Sequence, residues 1–469
     1  MKKIRTIISV ILSLCMFVIV FAGCAEKAPA KESPADSSTV SAAPAASGET
    51  TAPTALDFSG KSLDVLLCAS TFCESLEPYI KDFEGKYNVK INYDLLGRSN
   101  FDEKIIIELS SGSDAHDVYY VFGESLPQYL ENDWLLPIDD LISDKKITDD
   151  NELKINDILE GPLKACTYKE KTFGLPVFSA TVIMYYRTDY FEKAGIDGPP
   201  KTWDELAEAC KKLKAIGVEP LGMRGAKAFG AAGWHLPMLT HSFGGKVYKD
   251  YPNDLHPTVN SAEYVQAVKF YSDLLNNYGI KGATTCNYED IILAVQQGTV
   301  GIWIDGAPLV KQYEDSVKSK SSGKIGYALP PAGPKGVTAA QTTHLLAMNK
   351  NVKEKDLAWK FMQWAVSADT ELKLAVNGTH VAIPRGSVMN DPEYIKVNNF
   401  GEGAWAKTYA DTLAKAQWDY YPLNKNWPEV SDIITSSLSE VFTGKDAQKA
   451  MDEANSRIDK LMKQEGYYK

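Results

Sequence analysis

Between residues 172 and 212 the hydrophobic pattern changes period once, and that change limits the folds the chain can enter. Leu175, Val177, Val182, Ile183, Met184, Tyr185 and Tyr186 form an apolar run too dense for a one-sided helix, which predicts a buried strand. Arg187, Thr188 and Asp189 break the run. A short amphipathic piece over 190–194 then ends at Gly195, and Pro199-Pro200 closes the next loop. A helix follows, opened by a Thr202-x-x-Glu205 capping box, with Trp203, Leu206, Ala207, Cys210 and Leu213 on one face.

The same alternation recurs along the chain. Strands are predicted over 62–68, 89–94, 117–122, 300–304 and 325–329, and helices over 74–87, 101–111, 260–278 and 289–297. A further helix turns Ala358, Phe361, Met362, Ala365 and Val366 inward. Alternating strands and helices predict an α/β fold of mostly parallel sheets flanked by helices, with no internal repeat.

The N-terminal end reads differently. Lys2, Lys3 and Arg5 precede an apolar run over 7–22 that has the length of a secretory leader core and is short for a stable membrane span. Residues 24–58 are Ala, Pro, Ser, Thr, Glu and Lys with almost nothing large and apolar, so they cannot bury enough surface to offset their ordering entropy and read as a tether. The formal charge of −11 excludes nucleic acid and anionic membrane surfaces as natural partners of the body. Beyond the leader and Cys24 remain Cys68, Cys73, Cys166, Cys210 and Cys286; the odd count leaves at least one free thiol, and no disulfide is expected.

Catalytic motifs are scarce. There is no His-Glu-x-x-His, no Gly-x-Ser-x-Gly and no phosphate-binding or dinucleotide glycine pattern, and the six histidines lack ligand spacing. Asp139-Asp140 and Asp149-Asp150 suit helix starts. Neither an enzyme, nor a cofactor, nor a metal is expected.

The segments FGLP, YYRTDYFEKAGI and PPKTWDEL resemble the signature of the extracellular solute-binding proteins, family 1, which feed sugars to ATP-binding-cassette importers; that signature has Asn in place of Arg187. LSSGSDAHDV, WLLPIDDL and the final FTGKDAQKAMDEANSRIDKLMKQEGYYK resemble it too. Phe21-Ala22-Gly23-Cys24 resembles a lipobox, which makes Cys24 the lipid attachment point. The resemblance implies two discontinuous lobes joined by a hinge, in the manner of type II periplasmic binding proteins. On that reading residues 1–23 are the leader and 24–58 the lipidated cysteine and tether. One lobe takes 59–179 with 337–367, and the other takes 180–336 with 368–469. It also implies a monomer, anchored by lipid alone on the outer face of a Gram-positive-like cytoplasmic membrane. A carbohydrate would be its ligand and permease subunits its partners. A peptide, polyamine or ferric chelate is the alternative ligand; a secreted carbohydrate-active enzyme is the alternative from another class.

In open α/β sheets ligands sit outside the carboxyl ends of strands, and sugars need aromatic faces and polar edges there. Aromatic residues beside Gly, Asp and His at such ends single out Phe178, Ser179, Trp234, Asp305, Gly306, His344 and Trp405, with Trp234 and Trp405 read in Gly-rich loops. Ser70 follows the first strand, and Arg98 could donate to a ligand hydroxyl. Glu124 stands where sugar-binding relatives present a carboxylate, and Arg385 lies in IPRGSV where the family has P-x-R. Trp303 is read as core or platform. Trp359, Trp364, Trp418 and Trp427 are assigned to packing, and the tandem tyrosines 119-120 and 185-186 to opposite faces of strands.

Overall fold

Two long strands, Gly174–Arg187 and Ala339–Met348, run antiparallel through the middle of the fold, and the other strands are arranged around them. The computed structural model describes residues 57–227, 232–417, 420–422 and 424–469. The predicted leader, Cys24, the tether up to residue 56 and Trp418 lie outside the described residues.

On one side of the pair the order is Lys90–Leu96, Ser62–Cys68, Val118–Phe122, Ala339–Met348, with the first three strands mutually parallel. On the other side the end of Gly174–Arg187 pairs antiparallel with both Val300–Gly306 and Ile325–Ala328. Glu219–Gly222 then lies parallel to Val300–Gly306. The chain is therefore α/β, with parallel ladders at both ends of the sheet and antiparallel pairing along the two crossing strands. Gly174 permits the closest approach of those strands, since a Cβ there would stand 2.4 Å from the Leu346 carbonyl oxygen.

Burial follows the strands. One hydrophobic core gathers Val65, Phe72, Phe83, Tyr119, Val177, Leu345 and Trp359; a second gathers Val182, Tyr185, Trp203, Tyr271, Trp303 and Leu438. Core membership changes between Val177 and Val182, between Ala340 and Leu345, and between Leu374 and Val381. The second change falls inside one continuous strand, Ala339–Met348, which opens with the weakly apolar Ala-Ala-Gln-Thr-Thr-His. Trp303 is fully buried and stacks on Tyr185 at 5.3 Å, so it is core.

Local chemistry explains the helix after residue 202. Thr202 caps Trp203–Ala215 by accepting from the Glu205 amide at 3.2 Å, while the Glu205 carboxylate reaches back to the Lys201 amide at 2.6 Å, one residue before the capping-box partner. Arg187, where the family signature has Asn, is buried. It donates to both Asp189 carboxylate oxygens at 2.8 Å, lies 4.0 Å over the Tyr190 ring, and so anchors the helix Thr188–Ala194. All five cysteines of the body are free and buried.

Candidate ligand-binding site

The first wall forms where parallel strands end. Ser62–Cys68 is followed by Ser70, whose hydroxyl caps Thr71–Leu76 by accepting from the Cys73 amide at 3.2 Å and also lies beside the Tyr120 hydroxyl. Arg98 opens the helix Arg98–Ser111. Its guanidinium donates to Asp102 at 2.6 Å and to Glu124 at 3.3 Å, and lies 3.4 Å over the Phe122 ring. Phe122 meets His344 edge-on at 4.7 Å, and His344 stacks on Phe178 at 4.6 Å. The His344 Nδ1 is bonded to the Tyr120 hydroxyl at 2.5 Å. Burial, with Arg98 and His380 nearby, pushes the His344 imidazole down to about 3, so it is neutral at ordinary pH. Gly123 lets Val118–Phe122 end against the crossing strand: a Cβ there would stand 2.3 Å from the Thr343 carbonyl oxygen.

The second wall is built on a buried ion pair. Val300–Gly306 ends at Asp305, which is fully buried, and Glu219–Gly222 leads to Arg224, whose Nη2 and Nε donate to the two Asp305 oxygens, the latter at 3.2 Å. Burial works against the Arg224 charge, but Asp305 more than offsets it and its pKa is raised. The guanidinium lies 4.5 Å from the Trp234 ring and 5.3 Å from that of Tyr288. Asp305 also accepts from the Gly306 amide at 2.6 Å, and a Cβ on Gly306 would reach within 3.4 Å of the Trp234 indole. His235 is held by the Ile304 carbonyl at 2.9 Å, and burial pushes it down to about 4. The buried Trp234 Nε1 has no hydrogen-bond partner among the described residues.

Burial raises the Tyr421 phenol pKa, Tyr420 and Glu124 push it the same way, and Arg224 pulls it back. Each wall thus carries one arginine–carboxylate pair beside aromatic rings.

A model of the bacterial extracellular solute-binding proteins matches residues 69–371. The chain belongs to this family. Among its relatives is the erythritol/L-threitol-binding protein of Mycolicibacterium smegmatis, 23% identical over 405 residues, 83% of each chain. Two solved structures share the fold. One is an ATP-binding-cassette transporter solute-binding protein of Agrobacterium radiobacter in complex with ribitol, with a TM-score of 0.74, 22% identity and coverage of 87% of this chain and all of that one. The other is maltose-bound T. maritima MalE3, with a TM-score of 0.73, 22% identity and coverage of 86% of this chain and all of that one. Among the described residues no helix is long and apolar enough to cross a membrane.

In this solute-binding protein the structure brings together Ser70, Arg98, Glu124, Phe178 and His344 on one wall and Trp234, Asp305 and Gly306 on the other. It corrects four sequence expectations. Trp405 is not in a loop over the site: it lies in the helix Ala404–Leu413, fully buried, donating to the Ala307 carbonyl at 3.0 Å and stacked on Tyr409. Arg385 is fully buried, its donors taken by the carbonyls of Leu153, Lys154 and Val366 and by Asp157 at 2.6–3.2 Å, which makes it scaffold. Ser179 is buried too, its amide donating to the Ala382 carbonyl at 2.9 Å and its own carbonyl accepting from Tyr409. Trp234 lies against Arg224 and Gly306, but on the helix Ala232–Phe243 and not in a loop. Sequence reasoning missed Arg224 and Tyr288, which lies beside it. The available signal for Arg224 was a lone basic residue between Gly222 and Gly225 at the end of a strand.

Proposed function

We propose that this solute-binding protein holds a neutral polyol or sugar between its two walls and presents it to the permease of an ATP-binding-cassette importer, making and breaking no covalent bond. The two arginine–carboxylate pairs, Arg98 with Glu124 and Arg224 with Asp305, carry this reading. Arg98 with Glu124 is partly exposed and sets a donor beside an acceptor, which matches hydroxyl groups that both donate and accept, while opposite charges within each pair leave little net field for an ionic ligand. Phe122, Phe178, Trp234 and Tyr288 supply ring faces for the C–H surface of a carbohydrate. The relatives are consistent with this: their ligands are erythritol or L-threitol, ribitol and maltose.

The two cores become two lobes in this reading, 59–179 with 337–367 and 180–336 with 368–469, hinged at the crossing strands. A ligand touching both walls stabilises the closed arrangement by its differential affinity. Cys24 carries the lipid, and the protein works as a monomer on the outer face of the membrane. A micromolar ligand corresponds to about −8 kcal/mol, within reach of a few hydrogen bonds and stacked rings. Calorimetry against erythritol, ribitol, mannitol and maltose is expected to give heat for at least one, abolished in Glu124→Ala. Silence across the panel, together with no ligand-induced compaction in solution scattering, rejects the reading.

A further inference from the structure

We propose that Lys311 is a positioning residue: it ties the second wall to the first through the segment 375–382 and so sets how tightly the site holds its ligand. This rests on the hinged reading above. Lys311 lies in the short helix Val310–Tyr313, which follows Gly306 through the turn Ala307–Leu309, so it is rigidly connected to Asp305. Its ammonium donates to the carbonyls of Ala375 at 3.2 Å and Gly378 at 2.9 Å. Those carbonyls end the helix Ala368–Asn377, whose Leu374 belongs to the other core. A cation at a helix C-terminus satisfies orphan carbonyls and the negative end of the helix dipole together. Burial pushes the pKa of this ammonium down, consistent with bonds made partly out of water.

The same segment grips the first wall. Asn377 donates to the Tyr79 hydroxyl at 3.0 Å, and the Thr379 amide donates to Ser75 at 3.2 Å, in the helix that Ser70 caps. Gly378 sits so close to Ser75 that a Cβ would stand 2.4 Å from its hydroxyl oxygen. His380 is buried with its ring edge-on to Phe72 at 5.4 Å and 6.2 Å from Phe178, the ring that stacks on His344. One stretch of backbone thus contacts elements that carry both walls, and Lys311 adds a polar link to the second beside the packing of Val381 in the second core.

A tie of this kind favours the arrangement of the two cores in which its bonds are made. Apparent affinity scales with the fraction of molecules in that arrangement, so Lys311 acts on binding without touching ligand. Lys311→Met keeps the stem and removes the ammonium. It is expected to enlarge the radius of gyration of the ligand-free protein and to weaken binding of whichever panel polyol or sugar gives heat by about tenfold, equivalent to about 1.4 kcal/mol. Lys311→Arg, which keeps two donors, is expected to recover most of both. Where no panel compound binds, scattering and spin-label distances between the two cores still read the tie, so its failure is separable from that of the ligand assignment. Should Lys311→Met not fold, Tyr79→Phe, which releases Asn377 from the first wall, carries the same expectation at smaller size. Unchanged dimensions and spin-label distances in the variant that folds overturn the proposal.

Discussion

Arg224 and Asp305 form a buried pair to which the proposed function gives a role in recognition as well as stability. Asp305 is fully buried and Arg224 nearly so, with Trp234 and Tyr288 against the guanidinium. Breaking such a pair leaves one uncompensated charge in a poorly solvated place, which costs about 3–5 kcal/mol, whereas replacing both partners by apolar groups of similar volume is often near neutral. Asp305→Leu and Arg224→Met are therefore each expected to lower the unfolding free energy by about that much. The double variant should lose less than either alone while still failing to bind. Urea denaturation of the four proteins checks this, and strict additivity of the two losses contradicts it. Half of this pair was legible beforehand: Asp305 ends an apolar strand, a place where a carboxylate needs a reason, but its partner is 81 residues away and sequence spacing carries no trace of that contact. Trp405 failed for the converse reason. A large ring beside Gly403 looks exposed in sequence, and only tertiary packing against Tyr409 and the Ala307 carbonyl shows that it is enclosed.

At the scale of elements, legibility followed amphipathicity. Trp203–Ala215 has a polar face and a threonine cap, and both were visible. Ala232–Phe243 is buried on nearly every side and holds Pro237, so it offers neither a helical period nor a clean propensity, and its tryptophan was misplaced in a loop. Such enclosed elements also carry an acid sensitivity. His235 on that helix, His344 on the crossing strand and His380 in the segment after Ala368–Asn377 are pushed down by burial to about 4, about 3 and about 3, from an ordinary 6.5. Between those values and 6.5 the unfolded chain binds more protons than the folded one, so stability falls as pH falls through the window. Glu371 opposes this: burial raises its carboxyl well above 4.5, the folded state keeps a proton the unfolded state loses, and its contribution fades as pH rises. Below the ordinary histidine value of 6.5 the three histidines together outweigh the one carboxyl. Urea midpoints are expected to drop steadily on acidification from about pH 6.5 to about pH 5, less steeply in a His380→Phe variant that still folds. A flat profile excludes this account.

For the whole molecule, the decisive feature is that both cores share the same strands. Gly174–Arg187 contributes Val177 to one core and Val182 to the other, and Ala339–Met348 contributes Leu345 to the first and Ala340 to the second. The described residues, from 57 onward, form one compact unit. Melting one core strips a crossing strand of half its hydrogen-bonded partners and exposes apolar surface of the other, so neither core has an independent folded state of useful stability. A single calorimetric transition with matching calorimetric and van't Hoff enthalpies is expected despite the chain's size, in contrast to chains built from separable domains. Leu345→Ala, in the first core, and Leu438→Ala, in the second, should each cost about 2–5 kcal/mol and shift that one transition as a whole. A bound ligand present at a hundred times its dissociation constant should raise the same transition by about 2.7 kcal/mol. Two resolved transitions, with Leu345→Ala moving one and Leu438→Ala the other, would instead mean that the crossing strands hinge the cores without coupling their folding.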